Sequence, residues 1–424
     1  MKKKILIRFG DLMLKGKNIG FFIKAVRQHV RHNLKPYDVS YELPHDRIYV
    51  NYNEEDEEQI IGELKKIPGI FSISVIFNST NEIEDIVKVS VQVLNQYLTP
   101  KDHTIKIETK RADKLFPYTS LEFTKMVAPL ILKSYNKGIM VDVHHPDQIL
   151  NIEIRKEQTF IYLNQIMMMG GFPYGVAGKG LMMMSGGLDS PIAAYLAMKQ
   201  GVEVELIHFE STPLTPLESV QKVIDLSKIL ASYTGPGKIK LHLVPFIDIH
   251  ETLLKDVYDP YIITVMRRMM YKIAEMVAIK EKDICLLNGE SVGQVASQTL
   301  ESMRAIEDVT RLPILRPLIT YDKLETIALS KKIGTYEISI RPFNDCCSVY
   351  VPKNPVTKPK VHYAEKYERA IQMTQLEQAI EGIVTLVITK DFDFQIQEYG
   401  FDVKEAYQNY LKERAETIDS LQTK

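Results

Sequence analysis

From Lys4 to Phe9 apolar and polar positions alternate closely enough to predict a strand, and Phe22, Val26, Val30 and Leu34 then recur every four residues, the spacing that lines one side of a helix. Val39 to Leu43 and Ile48 to Tyr52 predict two strands joined through Pro44, His45 and Asp46; an acidic helix from Glu54 to Lys66 and a strand from Ile70 to Phe77 follow. Strand, helix, strand, strand, helix, strand is the ferredoxin-like order, so residues 1–77 are expected to form one small domain.

A second unit, residues 78–165, is expected to run through a helix from Glu82 to Tyr97, a strand from Thr104 to Thr109, a basic loop holding Lys110, Arg111 and Lys114, a helix from Ser120 to Tyr135, and strands at Ile149 to Arg155 and Thr159 to Leu163. Residues 166–180, rich in glycine and aromatic side chains, read as a linker. Beyond it strands at Leu181 to Met184, Glu203 to Phe209, Ile239 to Val244 and Asp283 to Leu287 alternate with helical stretches, the pattern of a parallel sheet covered by helices on both faces. Residues 181–424 are expected to form this third domain, although 361–424 carry no readable motif. The fold class expected is thus α/β throughout.

Composition changes this picture little. The 424 residues hold 53 basic and 54 acidic side chains, which argues nothing about nucleic acid, but residues 1–37 carry ten Lys or Arg against Asp11 alone, a local net of +9. Such a stretch favours a polyanion partner, with Lys15 and Lys17 as candidates beside Lys110, Arg111 and Lys114; Arg27, Arg31 and Lys35, four apart, also fit a solvated helix side. No apolar run is long enough to span a bilayer and the lysine-rich start enters no signal-peptide core, so a cytoplasmic location is expected. Three cysteines, Cys285, Cys346 and Cys347, without C-x-x-C pairs, give no disulfide framework and no case for structural zinc. His144 and His145 precede Pro146 and read as a turn, since adjacent histidines diverge.

Candidate chemistry concentrates in LMMMSGGLDSP, Leu181 to Pro191. An apolar strand leads into Ser185, Gly186 and Gly187, whose small side chains let backbone N–H groups approach an anion; a helix follows, with Asp189 or Ser190 as N-cap and Pro191 in its first turn. Gly178 to Gly180 is not a Walker A loop, since it lacks the upstream glycine and precedes the strand. The segment Ser185 to Ser190, SGGLDS, resembles the PP-loop signature of ATP pyrophosphatases, which split ATP between its α and β phosphates, and KRADKLFPYTSLEF with VDVHHPDQILNIEIR resembles the THUMP domain of RNA-modifying enzymes.

The order GKG, SGGLDSP, HF, RRMM, GESVGQVASQT, RPL, DCCSV, preceded by FGDLMLKGKN, is similar to the tRNA 4-thiouridine synthetase family. The resemblance implies ATP contacts from Met183, Met184, His208, Phe209, Arg267, Gly289 and Gln298, with Ser185, Gly186, Gly187, Asp189 and Ser190 at the phosphates, Asp189 acting through Mg²⁺ or the leaving pyrophosphate. It also implies activation of a tRNA uridine at O4 and sulfur delivery from a cysteine persulfide, with Cys347 as carrier, a cysteine desulfurase as donor, and supply of sulfur through a carrier protein for the thiamine thiazole ring; a homodimer is possible. No resident metal is expected, only ATP and Mg²⁺ as cofactors.

Members that carry a rhodanese domain have a second cysteine there, whereas this chain has none after Cys347, leaving Cys346, Cys285 or an external thiol to close the cycle. Cys285, in the apolar run ICLL, reads as buried; Cys346 and Cys347 are expected in an exposed loop. Three other readings stay open: a small-molecule adenylating ligase, a non-catalytic RNA binder, and an RNA methyltransferase.

Overall fold

The alternation near the amino terminus produces strand Lys2–Arg8 (β1), which pairs antiparallel with both Arg47–Asn53 (β3) and Ser72–Ser79 (β4), while Ser40–Glu42 (β2) flanks β3. Period two sorts its faces: Ile5 and Ile7 enter a core with Ile23, Val26 and Val30 of helix Ile19–Asn33 (α1), whereas Leu6 meets Tyr49, Ile76 and Phe160. The computed structural model describes residues 2–44, 46–163, 165–346, 352 and 354–422, which divide into two units, Met1–Phe172 and Pro173–Lys424.

In the first unit helix Glu57–Leu64 (α2) precedes β4, and the chain continues through Ile83–Tyr97 (α3), Thr104–Arg111 (β5), Ser120–Tyr135 (α4), Met140–Val141 (β6), Gln148–Ile154 (β7), Thr159–Leu163 (β8) and Ile166–Met167 (β9). The strands line up as β2-β3-β1-β4-β8-β7-β5-β6, with β9 also on β4. The first four reproduce the ferredoxin-like order. Phe77 of β4 sits opposite Ile161 of β8, so the two expected domains share one sheet; pairing with β8 covers an edge of β4 that would otherwise expose its backbone polar groups.

The stretch 166–180, expected as a linker, is structured at both ends: β9 pairs with β4, and Lys179 and Gly180 open the first strand of the second unit. That unit holds Lys179–Met183 (β10), Asp189–Lys199 (α5), Glu203–Glu210 (β11), Leu217–Ala231 (α6), Lys238–Pro245 (β12), Ile247–Asp256 (α7), Ile262–Glu281 (α8), Cys285–Leu287 (β13), Leu300–Glu307 (α9), Ile314–Leu315 (β14), Lys323–Ile333 (α10) and Val384–Thr389 (β15). Its sheet runs β14-β13-β10-β11-β12-β15, parallel except for β15, which is antiparallel to β12. The sheet is therefore not wholly parallel: the segment without a motif supplies an edge strand, with Leu386 and Ile388 buried and Val387 and Thr389 outward. β10 is flanked by β11 on one side and β13 on the other, so the strand order reverses beside it, the place where α/β sheets bind ligands.

At the opposite, amino-terminal ends of these strands Glu205 accepts Lys179 at 2.9 Å and Lys240 at 3.0 Å, and Lys240 also reaches Glu281 at 2.8 Å. Burial works against the Glu205 charge, but His242, Lys179 and Lys240 outweigh it and hold the carboxyl at about 2. Glu205, His242 and Glu281 bring ligand atoms within 4.8 Å of one another, yet the two ammonium groups already fill the role of a cation there.

Candidate functional site

After β10 the chain closes on Ser190. Its hydroxyl donates to Ser185 O at 2.9 Å and accepts Ser185 N at 2.9 Å, so the Ser185 hydroxyl, 3.0 Å away, must be the donor in the contact between the two side chains. Gly187 N in turn reaches Ser185 Oγ at 3.4 Å, and Ser339 Oγ donates to Gly187 O. The loop is a preformed ring whose remaining backbone N–H groups sit at the start of α5, the electropositive end of that helix.

The expected N-cap is not formed. Leu188 occupies that position without a side-chain cap, because Ser190 is consumed in the ring and Asp189 turns outward, accepting Lys323 Nζ at 2.9 and 3.2 Å and Gln294 Nε2 at 3.0 Å. Lys323 opens α10 behind an Asp322 capping box, which places its ammonium at the loop. Neither Lys323 nor Gln294 was legible as a partner of Asp189, since 134 and 105 residues separate them from it.

The facing wall follows β13. Asn288 donates to Tyr271 and to Glu290 Oε2 at 2.8 Å, and Glu290 pairs with Arg267 and, at 2.8 Å, with Arg316. Burial opposes the Glu290 charge, but the two guanidinium groups outweigh it and keep the carboxyl below its usual value. Arg267, expected from the family resemblance to contact ATP, is thus already paired with a carboxylate. Between them, a Cβ on Gly289 would lie 2.8 Å from Asp189 C and 2.8 Å from Ser190 N, both fixed backbone atoms. Gly289→Ala is therefore expected to push the two walls apart and lower nucleotide-dependent pyrophosphate release by about 10²-fold, with the circular dichroism spectrum unchanged. Wild-type release from that variant would contradict the close approach.

A cleft of about 550 Å³ opens between these walls. Met183, Met184, Ser185, Asp189, Ser190, His208, Phe209, Arg267, Gly289 and Gln298 all line it, whereas Gly186 and Gly187, expected beside them, belong to the same loop without lining the cleft. His208 is oriented by Nδ1, which must carry the proton because it meets the Met184 carbonyl at 2.9 Å. Apolar Ile263, Met270 and Phe209 lie on the same cleft as the polar loop, a combination suited to a heterocyclic base joined to a polyanion. Sequence reasoning missed Glu290, Asp345 and Pro355 as lining residues.

Cys285 is buried in β13, and burial pushes its thiol up. Cys346 lines the cleft but is only 4 % exposed, so the exposed loop expected there is not what surrounds it: it packs with Leu181, Ile207 and Met270 in the core of the second unit. Cys347 lies outside the described residues.

In the first unit Lys15, Lys17, Lys110 and Lys114 are exposed. Lys15 Nζ sits 4.3 Å from the Phe172 ring centroid. Arg111 differs: its Nη1 donates to Phe116 O at 3.3 Å and Tyr118 O at 3.2 Å, which ties that end of the guanidinium to its own loop. Both His144 N and His145 N donate to Asp142 Oδ1, the turn expected before Pro146.

Residues 4–74 match the "ThiI ferredoxin-like domain", 80–164 the "THUMP domain" and 175–373 "Thiamine biosynthesis protein (ThiI)". The chain is 54% identical over 414 residues to a protein of Acholeplasma laidlawii named "Probable tRNA sulfurtransferase", covering 97% of this chain and 100% of that one. It is 41% identical to a protein of the same name from Staphylococcus saprophyticus, covering 92% and 95% of the two chains. Among solved structures, one described as a 4-thiouridine synthetase–RNA complex with bound ATP superposes with a TM-score of 0.81 at 33% identity, over 92% of this chain and 100% of that one. With a shared architecture and a relative matched along its whole length, the chain belongs to the tRNA sulfurtransferase family.

Proposed function

We propose that this protein replaces O4 of a uridine in tRNA by sulfur at the expense of ATP, giving 4-thiouridine. The observation that carries this reading is the Ser185–Ser190 ring at the sheet's switch point, opening on a cleft that also holds Cys346. O4 attacks the α-phosphorus of ATP, the bond to the bridging oxygen of the β-phosphate breaks, pyrophosphate leaves, and the N3 proton goes to solvent. An amide-like oxygen is a poor leaving group; as a phosphate ester it departs with AMP. The terminal sulfur of a persulfide on Cys347 then attacks C4 and the C4–O bond breaks. A second thiolate attacks the Cys347 sulfur, releasing 4-thiouridine and leaving a disulfide that an external dithiol reduces. Cys346 lines the cleft while Cys285 is buried in β13 with its sulfur against Gly180, which supports Cys346 as that second thiol.

The residues on the page divide the work. Backbone N–H groups of the ring face the phosphates, His208 and Phe209 wall the nucleotide, and Asp189 aligns the Lys323 ammonium beside the leaving pyrophosphate. Asp189 would hold Mg²⁺ by an oxygen that now accepts Lys323 or Gln294, so the ion would take over part of the charge neutralisation that the ammonium supplies at the phosphates. A cysteine desulfurase is the proposed persulfide donor. The description of the 175–373 match favours a second outlet for the same sulfur, the thiazole ring of thiamine through a carrier protein.

Mass spectrometry of tRNA nucleosides from cells with and without the gene tests this reading; 4-thiouridine that persists without the gene would refute it. For the RNA side, replacing Lys15, Lys17, Lys110 and Lys114 by glutamine, with Arg111 left in place to hold its loop, is expected to weaken tRNA binding. The slope of log affinity against log salt should flatten by about 0.7–0.9 for each phosphate that a lysine no longer neutralises. An unchanged slope places the phosphate grip on other residues.

A further inference from the structure

The phosphate loop already has an anion on it. Gly186 N donates to Asp345 Oδ2 at 2.8 Å, and Asp345 lies next to Cys346, 159 residues from the loop. Beside both is Lys222, a lysine buried in α6, whose Nζ donates to Arg341 O at 3.0 Å and Phe343 O at 3.4 Å. A Cβ on Gly186 would meet Lys222 Cδ at 3.0 Å and Asp345 Oδ1 at 3.2 Å, so loop, lysine and aspartate are packed in direct contact.

We propose that the Asp345 carboxylate is a built-in occupant of the phosphate loop, displaced by the nucleotide's phosphates, so that filling the loop moves the segment bearing Cys346 and Cys347. This rests on the reading of the cleft as an ATP site. A carboxylate and a phosphate oxygen compete for the same N–H donor, and the triphosphate carries more charge toward the positive end of α5. Once a phosphate takes Gly186 N–H, the like charge of Asp345 is repelled from the loop. Lys222 meanwhile keeps the carbonyls of Arg341 and Phe343 in place, so the movement is confined to the residues after Phe343, which lead into the two thiols. Before ATP arrives Cys346 is buried; afterwards it is released for sulfur chemistry. The order matters chemically, because a persulfide exposed before the uridine is activated would lose its sulfur to any passing thiol.

Inorganic pyrophosphate is the probe, since it fills the phosphate end without covering the rest of the cleft. Labelling of Cys346 by a thiol reagent, assigned to that residue by tandem mass spectrometry with Cys285 as internal reference, should speed up about fivefold or more when pyrophosphate binds the full-length protein. Asp345→Asn should label fast without pyrophosphate and bind it about fivefold tighter, while Asp345→Glu, which keeps the carboxylate, should restore the slow, pyrophosphate-sensitive rate. Pyrophosphate binding that leaves the wild-type labelling rate unchanged, or weaker binding by Asp345→Asn, overturns the displacement while leaving the ATP reading intact. Failure of the wild-type protein to bind pyrophosphate or ATP at all overturns both.

Discussion

Replacing Asp189 by alanine is expected to lower tRNA-dependent release of AMP and pyrophosphate by about 10²–10³-fold while leaving tRNA binding unchanged. The reason is geometric. Both carboxylate oxygens are in use, one on Lys323 Nζ at 2.9 Å and the other on Lys323 and Gln294, so the side chain holds a cation and an amide at the mouth of the phosphate loop. In the proposed mechanism nothing then points the ammonium at the leaving group. Asp189→Asn should be nearly as poor as alanine, because shape is kept and the charge is not. RNA affinity is a separate readout because the lysines proposed to grip tRNA belong to the first unit, residues 1–172. Turnover at the wild-type rate in either variant would remove Asp189 from the mechanism.

The second large effect is expected at the cysteine pair. Cys347→Ser should still release pyrophosphate with unmodified tRNA and form no 4-thiouridine, because the nucleophile acts after activation. Cys346→Ser should transfer sulfur to C4 but keep the tRNA joined to the enzyme by a disulfide bond until a dithiol is added, which a non-reducing gel with labelled tRNA reads directly. The two variants are informative together: product from Cys347→Ser and none from Cys346→Ser would exchange their roles, and normal product from both would refute a cysteine carrier.

What could be read along the chain was what depends on near neighbours. The β1 alternation, the α1 stripe from Phe22 to Leu34, the boundaries of α4 at Ser120 and Tyr135, and the strand–glycine–helix passage at Ser185 to Pro191 are local patterns, since period, turn chemistry and helix entry are decided within a few residues. The PP-loop and THUMP segments are likewise contiguous strings, which is why the family resemblance was legible. The strand Val384–Thr389 was not read from the sequence: Leu386, Val387 and Ile388 are all apolar although Val387 faces outward, and an edge pairing on β12 leaves no mark on either partner.

Tertiary structure decided the rest. Ser190 and Asp189 both suit an N-cap by type, but the fold offers each a better partner: a ring with Ser185 for one, and Lys323 with Gln294 for the other. Cys346 looks like a loop thiol next to Asp345 and is nevertheless buried, because Asp345 is drawn onto Gly186 and the core of the second unit closes over its neighbour. The fusion of the first two domains through β4 and β8, the neutralisation of Arg267 by Glu290, and the approach of Gly289 to the start of α5 all join residues far apart in sequence. Local pattern was enough for most elements of the first 290 residues and for the loop that resembles a PP-loop. Which charge meets which was left to packing, where a buried polar group must take whatever partner the fold brings within reach.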